Sequence, residues 1–256
     1  MKVCILASGS SGNCTYIQVN NHNILIDAGI CYKEIKEKLD SIDVKIEDID
    51  TILVTHAHID HTASLDKLYN KIHPNIYMTN DIYMEIKENI RNLIDYKDLT
   101  DDLFIDDIHI KPFKTSHDTK DSKGYLIEYN NKSLVYITDT GYINNKYLKM
   151  LENKNIYIME SNHDPSMLMH GIKPHNKKER VYSDTGHLCN SQAAYYLSLL
   201  VGDNTTNIFL AHISRHDNTK ELAYKETKET LDRKNKNIPK IEIADQKEMS
   251  SVVVIW

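Results

Sequence analysis

The sequence lacks the features that mark a membrane, secreted or disulfide-bonded protein. Its cysteines lie far apart and form no CxxC pair, which favours free thiols in a cytoplasmic protein: Cys4, Cys14, Cys31 and Cys189. No apolar run approaches the ~20 residues that a membrane span requires. The first residues contain too short an apolar run for a signal peptide. We therefore expect a cytoplasmic protein without a membrane partner.

Positive charge is also scarce. The 31 Lys and Arg residues are outnumbered by 37 Asp and Glu residues, so the formal net charge is −6. This excludes a protein coated with basic residues, and any phosphate-binding surface must be local. The few glycines and prolines, 8 and 5 in number, form no linker. We expect a single domain over residues 1–256, since α/β domains of this length are common.

Short apolar runs alternate with amphipathic segments along the chain. Runs such as VCILA, TYIQV, TILVT, SLVYITD, NIYIME and NIFLAH predict strands. Helical spacing predicts helices near residues 32–39, 65–72, 82–90, 145–151, 190–201 and 222–231. Early strands follow one another directly, whereas later strands alternate with helices. The pattern therefore predicts an α/β fold with mixed sheets, in two similar halves with helices outside.

The stretch LVTHAHIDHTASL, residues 53–65, places four ligand-type side chains at the end of a predicted strand. His56 and His58 are two residues apart and leave the strand on the same side. The next helix is predicted to begin near Thr62 or Ala63, with Asp60 and His61 just before it. Crowding four such groups is costly unless a cation neutralises them, so the stretch predicts a metal site.

Three more candidates follow later strands: His117 in KTSHD, Asp139 in VYITDTG and His212 in FLAHIS. Alone, each would be an ordinary turn residue or hydrogen-bonded neighbour. With the first cluster they make five histidines and two aspartates, too many for one catalytic zinc with three protein ligands. The count predicts two divalent metal ions. Imidazole and carboxylate ligands favour Zn²⁺, with Mn²⁺ or Fe as alternatives.

These motifs resemble the metallo-β-lactamase superfold, in which an HxHxDH signature precedes further ligands at strand ends. The resemblance implies a four-layer αβ/βα sandwich and a water activated by two metals to a hydroxide nucleophile. It also implies that Asp27, in LIDAG, fixes the histidine loop. The implied ligand sets are His56, His58 and His117 for one metal, Asp60, His61 and His212 for the other, and Asp139 as the bridge.

Two further stretches bear on the reaction. IYIMESNHD places Glu160 at a strand end and DTGHLCNSQAA places His187 before a helix, and both stretches resemble RNase Z. The resemblance implies that His187 is a general acid, oriented by Glu160, for the departing oxygen of a phosphodiester. Asp60 is counted as catalytic beside them. From the residues alone, His187 could instead cap a helix and Glu160 form a salt bridge. His163, in the first stretch, is expected to contact substrate or a catalytic residue.

Over nearly its whole length the chain is similar to the YycJ/WalJ family, through LASGSSGN, LIDAG, VTHAHIDH, TSHD, ITDTGY, ESNHD, SDTGHLCNSQAA and LAHISRHDN. That family is associated with 5′-to-3′ exonuclease action on DNA. The resemblance therefore implies a dinuclear-metal phosphodiesterase that acts on DNA ends. LASGSSGN lacks the GK[ST] ending of a P-loop and is predicted to be a simple turn, with backbone N–H groups that bind a phosphate as the alternative.

Local positive charge precedes His187, in HGIKPHNKKERVYSDTGH. The predicted phosphate contacts are Lys177, Lys178, Arg180 and Arg215. Such a charge run is also typical of a solvated helix face. Three other functions stay open: hydrolysis of a small thioester or lactone, as in glyoxalase II, an RNA-directed nuclease, and a metal-stabilised scaffold. A β-lactamase is disfavoured, because those enzymes typically carry cysteine where this chain has Asp139.

Overall fold

The computed structural model describes residues 1–236 and 238–256. Within them the strands are β1 (Lys2–Ala7), β2 (Cys14–Val19), β3 (His22–Ile26), β4 (Thr51–Leu53), β5 (Asn75–Met78), β6 (Lys97–Asp98), β7 (Leu103–Ile105), β8 (Ile108–Lys114), β9 (Lys123–Tyr129), β10 (Lys132–Ile137), β11 (Ile156–Glu160), β12 (Asn207–Ala211), β13 (Lys240–Ile243) and β14 (Val253–Val254). The α-helices are α1 (Tyr32–Asp40), α2 (Ile59–Thr62), α3 (Leu65–Ile72), α4 (Asn80–Glu85), α5 (Glu88–Arg91), α6 (Asn145–Leu151), α7 (Pro165–His170), α8 (His175–Tyr182), α9 (Asn190–Leu200) and α10 (Lys220–Arg233).

The chain forms two compact units. The first unit consists of Met1–Pro112, Thr119–Lys123 and Asp245–Trp256, and the second of Phe113–Asp118 and Gly124–Ala244. The first unit is therefore assembled from three separate stretches of sequence.

The sheet of the first unit is mixed, with strand order β14-β1-β2-β3-β4-β5-β6. β14, β1, β2 and β3 pair antiparallel, whereas β3, β4, β5 and β6 pair parallel. Asn20, with a φ of 53°, closes the turn between β2 and β3 in the left-handed conformation that asparagine tolerates. Parallel strands need crossover connections, and the helices between β3 and β6 supply them. β7 and β8 form an antiparallel hairpin.

In the second unit, strands pair in the order β13-β12-β11-β10-β9. β9 and β10 form a hairpin whose two turn residues, Asn130 and Asn131, have φ values of 45° and 63°, as a type I′ turn requires. β10, β11, β12 and β13 are parallel, and helices α6 to α10 lie on the connections between them. Every residue of β11 is buried, which explains its continuous apolar run.

The parallel strands bring polar residues to one edge of each sheet. In the first unit β3 ends just before Asp27, and β4, its parallel neighbour, ends three residues before His56. In the second unit β11 ends in Glu160, whose strand partners β10 and β12 end just before Asp139 and His212. Carboxyl ends of parallel strands are where open α/β sheets bind ligands.

Two predicted helix positions are wrong. The segment 82–90 was predicted as one helix, but Ile86 and Lys87 are extended and separate α4 from α5. The carbonyl that α4 leaves unpaired at Met84 accepts from Nη1 of Arg91 at 2.7 Å, which compensates the break. The helix after the histidine motif begins at Ile59 rather than near Thr62, so the motif's aspartate lies in its first turn, where the helix dipole favours a negative charge.

Helices α7 and α8 lie outside the segments that were predicted to be helical. In the part of the chain that the structure describes, none of the helices combines the length and apolar composition needed to cross a membrane.

Candidate functional site

The first unit gathers the four side chains of the histidine motif. Nε2 of His56 lies 3.1 Å from Nδ1 of His58, and the ring centroids of His56 and His61 are 3.9 Å apart. Oδ2 of Asp60 is 3.6 Å from Nε2 of His61. His56 and His61 are buried, so their crowding is not relieved by solvent. Imidazole nitrogens and a carboxylate at these distances have the donor chemistry that fits a divalent cation.

Asp27 determines which nitrogen of His61 carries a proton. Its Oδ2 lies 2.7 Å from Nδ1 of His61, and because a carboxylate only accepts, Nδ1 must donate. Nε2 is then the nitrogen with the lone pair, the form that a metal ligand needs. Asp27 is itself held by the backbone N–H and the hydroxyl of Thr55, each at 2.8 Å. Burial raises the pKa of Asp27, and His61 and Thr55 counteract this.

Thr55 also orients His56. Its hydroxyl hydrogen goes to Asp27, so Oγ1 accepts from Nδ1 of His56 at 3.0 Å and leaves the lone pair of that ring on Nε2. The expected role of Asp27 in fixing the histidine loop is therefore consistent with its contacts. Thr55 was missed in the sequence, although it directly precedes the motif.

Asn13 and Gly29 support the same loop. Nδ2 of Asn13 lies 3.0 Å from Nε2 of His61, and the backbone N–H of Asn13 donates to the carbonyl of Asp60 at 2.8 Å. A Cβ on Gly29 would lie 1.6 Å from that carbonyl oxygen, so only glycine fits. The turn between β1 and β2 thus braces the histidine loop, a role beyond the simple turn predicted for LASGSSGN.

The second unit contains another cluster, at the ends of its parallel strands. Its members offer ligand atoms that all lie within 4.8 Å of one another: Asp139, Glu160, His187 and His212. Nδ1 of His212 is 3.3 Å from Oδ1 of Asp139, and the rings of His187 and His212 are 5.1 Å apart. The backbone places His187 there because the segment after β11 pairs with residues 188–190: Asn162 N–H donates to the Leu188 carbonyl at 2.9 Å.

Glu160 is the centre of this cluster. Oε1 accepts from Nδ1 of His187 at 2.8 Å and from Nδ1 of His212 at 2.7 Å. Oε2 accepts the backbone N–H groups of Thr140 and Leu188, both at 3.1 Å. Burial acts to raise the pKa of Glu160, but His187 and His212 outweigh it and lower the pKa to about 2. Four N–H donors occupy its two oxygens, so Glu160 orients histidines and is poorly placed to coordinate an ion.

His117 also lies close to Asp139. Its Nδ1 donates to the carbonyl of Gly186 at 3.2 Å, and its Nε2 is 3.8 Å from Oδ1 of Asp139. Burial lowers the pKa of His117, which favours the neutral, ligand-competent ring. His117 and His212 therefore both present Nε2 as the lone-pair nitrogen, as His61 and His56 do in the first unit. The His and Asp clusters of both units fit divalent metal ions.

Three residues at these strand ends have left-handed backbones. The φ values are 61° for Asp27, 53° for Asp139 and 54° for His212. Such conformations are uncommon outside glycine and tend to persist where function requires them. Asn20, Asn130 and other turn residues adopt the same conformation, so at these three positions it shows how the chain turns directly after each strand.

The remaining predicted residues lie around the second cluster. His163 is fully buried behind it, and burial lowers its pKa to about 4. Lys177, Lys178 and Arg180 lie on α8, where Nζ of Lys178 donates to the Met169 carbonyl and Arg180 pairs with Asp118. Arg215 is exposed after β12. Asp118 connects Arg180 to the site, because its Oδ1 lies 3.3 Å from Nε2 of His117.

The chain matches known proteins over most of its sequence. The family model described as "Metallo-beta-lactamase superfamily" matches residues 7–171. The chain is 35% identical over 239 residues to "Exodeoxyribonuclease YycJ" of Bacillus anthracis, covering 90% of this chain and 89% of that protein. It is 36% identical over 230 residues to "Exodeoxyribonuclease WalJ" of Streptococcus pneumoniae serotype 2, covering 87% and 85%.

Among solved structures, the metallo-beta-lactamase fold protein YhfI from Bacillus subtilis superimposes with a TM-score of 0.71 at 18% identity, covering 97% of this chain and 98% of that chain. At this identity the likeness concerns the fold. The predicted α/β class with mixed sheets and the predicted metallo-β-lactamase fold are confirmed.

Proposed function

Because the chain belongs to the metallo-β-lactamase superfamily and, within it, to the family of YycJ and WalJ, we propose that it is a metal-dependent phosphodiesterase that degrades DNA from its ends. Relatives that match most of the chain are named exodeoxyribonucleases, in agreement with the function predicted from the sequence. The observation that carries the proposal is the His187–Glu160 pair, 2.8 Å apart, beside Asp139 and His212. The 5′-to-3′ direction stays a prediction.

The proposal includes two divalent ions, with Zn²⁺ as the predicted metal. The ligand set is the one predicted from the sequence: His56, His58, Asp60, His61, His117, Asp139 and His212. Ions held there would supply an activated water and would stabilise negative charge on the phosphate. Support comes from the tautomers, since the hydrogen bonds that Nδ1 donates leave Nε2 of His56, His61, His117 and His212 as the lone-pair nitrogen.

His187 is proposed as the general acid. Glu160 accepts the hydrogen on Nδ1, so the proton that His187 can deliver lies on Nε2. An alkoxide departs poorly from phosphorus, and a proton placed on it in the transition state contributes ~10²–10⁴-fold to the rate. After delivery the ring is neutral and stays in the tautomer that Glu160 holds. The buried carboxylate also stabilises the charged ring before delivery.

Three further parts of the proposal concern the whole protein. Lys177, Lys178 and Arg180 on α8 and Arg215 after β12 contact the phosphate backbone. The two units act as one domain over residues 1–256. The protein is cytoplasmic, which agrees with its four free cysteines, three of them buried.

The test is cleavage of end-labelled single-stranded and double-stranded DNA and RNA in Zn²⁺ or Mn²⁺. His187→Ala is expected to lower kcat by ~10²–10⁴-fold with the bound metal content unchanged. Asp139→Ala is expected to lower both activity and metal content. Digestion that survives Asp139→Ala undiminished would show a contaminating nuclease.

The same variants separate the competing chemistry. A thioester leaves as a thiolate and needs no proton from the enzyme, so a thioester hydrolase would keep nearly full turnover in His187→Ala. Turnover of thioesters or lactones by the unaltered protein, with no cleavage of any nucleic acid, would contradict the proposal.

A further inference from the structure

An open cavity of about 460 Å³ lies between α7 and α8 in the second unit. Its volume falls within the ~300–1,000 Å³ that is usual for small-molecule sites. No residue of the two clusters described above lines it. The lining consists of Pro165, Met169, His175, Lys178, Glu179 and Tyr182.

The cavity has large apolar side chains that solvent reaches. Tyr182 is 61% exposed and Met169 is 60% exposed. An exposed aromatic ring beside an exposed methionine side chain is typical of a binding surface. An aromatic ring in this setting can stack on any nucleobase, because every base has a π-face.

The charge around the cavity fits a phosphate backbone. α8 carries Lys177, Lys178 and Arg180, whereas the chain as a whole has a net charge of −6. Arg180 pairs with Asp118, so Lys177 and Lys178 are the cations considered for a phosphate. Glu179 is the acidic residue of the lining, and its Oε1 lies 3.5 Å from Nδ1 of His175. Nζ of Lys178 donates to the Met169 carbonyl at 2.7 Å, so its cation is held across the cavity. Cations next to an exposed aromatic face are the usual combination for binding single-stranded nucleic acid.

The same helix is attached to His187. The backbone N–H of His187 donates to the carbonyl of Val181 at 2.9 Å, one residue before Tyr182. The rings of Tyr182 and His163 lie edge to face, with centroids 6.2 Å apart. The wall of the cavity is therefore joined to the residue that is proposed to protonate the departing oxygen.

We propose that this cavity binds one nucleotide of a single DNA strand, the nucleotide that carries the departing oxygen. Its base stacks on Tyr182, and the adjoining phosphates lie near Lys177 and Lys178. This inference rests on the proposed nuclease function and adds a nucleotide subsite to it.

The test compares Tyr182→Ala with Tyr182→Phe, which keeps the aromatic face. Tyr224→Ala on α10 is the matched control, since Tyr224 is also a helical tyrosine and is 40% exposed. KM and kcat are measured on an end-labelled oligonucleotide and on bis(p-nitrophenyl) phosphate, a diester without nucleobases. Dissociation constants for the labelled oligonucleotide are measured separately by fluorescence anisotropy.

Tyr182→Ala is expected to raise the oligonucleotide KM and Kd by about 5- to 150-fold, the range that corresponds to ~1–3 kcal/mol for one stacked base. Tyr182→Phe and Tyr224→Ala are expected to stay within twofold of the unaltered protein. The KM for the small diester should rise much less in Tyr182→Ala than the KM for the oligonucleotide. Lys177→Gln should reduce the slope of log K against log salt by about 1.

An oligonucleotide Kd for Tyr182→Ala within twofold of the unaltered protein would overturn the subsite. An equal loss on both diesters would also overturn it, because α8 would then act only by holding His187. Failure of the unaltered protein to cleave any nucleic acid would reject the proposed function instead. The anisotropy comparison of Tyr182→Ala with Tyr182→Phe would still decide whether the cavity binds a base.

Discussion

Replacing Glu160 by glutamine tests whether one buried carboxylate organises the second cluster. Its Oε1 accepts two histidine N–H groups, at 2.8 and 2.7 Å, and its Oε2 accepts two backbone N–H groups, at 3.1 Å each. A glutamine has one oxygen and one NH₂ group. Whichever way the amide is turned, two buried donors face an NH₂ group.

Each buried donor left without an acceptor costs ~1–3 kcal/mol, so Glu160→Gln is expected to lower the free energy of unfolding by about 2–6 kcal/mol. This is a large fraction of the ~5–15 kcal/mol that stabilises a typical protein. Where the NH₂ group replaces Oε1, the proton on Nδ1 of His187 loses its acceptor, and in either orientation His187 loses the negative charge beside it. We therefore expect kcat on DNA to fall by ~10²–10⁴-fold. Urea unfolding followed by circular dichroism measures the first effect, and cleavage of a labelled oligonucleotide measures the second.

Glu128→Gln in the same unit is the control. Glu128 accepts from Nζ of Lys154 at 2.7 Å, but the two side chains are 29% and 20% exposed. Such a pair is worth ~0–1 kcal/mol. If Glu160→Gln unfolds at the same urea concentration as Glu128→Gln and keeps its kcat, the role assigned to Glu160 is refuted.

Three other predictions concern stability and metal. Gly29→Ala places a Cβ against the Asp60 carbonyl and should cost at least ~1–3 kcal/mol in urea unfolding, and an unchanged midpoint would contradict the close packing. Burial lowers the pKa of His163 from 6.5 to about 4, so as pH falls the unfolded chain binds its proton first and the native state loses stability between pH 6.5 and 4. Between pH 7 and pH 4.5 the free energy of unfolding should fall by about 2 kcal/mol less in His163→Phe than in the unaltered protein. Equal falls in the two proteins would exclude a buried neutral ring at His163. A chelator should abolish DNA cleavage and lower the Tm, and Zn²⁺ or Mn²⁺ should restore both; full activity after elemental analysis shows no metal would contradict the ligand set.

The strand ends could be predicted because their signal is local. A buried parallel strand needs a continuous apolar run, and a polar residue directly after it falls at the edge of the sheet. NIYIME and the residues before Asp139 and His212 follow this pattern, which locates Glu160, Asp139 and His212. His187, the fourth residue of the second cluster, follows no strand and was named through the resemblance to RNase Z.

The contacts that position these site residues have no such local signal in the sequence. Asn13, Gly29 and Asp60 meet through backbone contacts between positions far apart in the sequence. The sharing of Glu160 by two histidines likewise depends on the neighbouring positions of β11 and β12. No spacing rule within a short window reports either contact.

The prediction of one helix over residues 82–90 was wrong for a related reason. Ile82, Ile86 and Ile90 have helical spacing, and all three are buried in one core cluster. No proline or glycine marks the break at Ile86 and Lys87. Tertiary packing therefore overrode a local pattern that favours one continuous helix.

The three-part construction of the first unit has a consequence for synthesis of the protein. The N–H groups of Ile5 and Ser8 pair with Ser250 and Asp245, and β1 pairs with β14, all in the stretch 245–256. During translation, the edge of β1 that pairs with this stretch has no partner until the entire second unit has been synthesised. A nascent chain that stalls before residue 245 would expose this edge to other strands, so we expect such truncated products to aggregate or to require a chaperone.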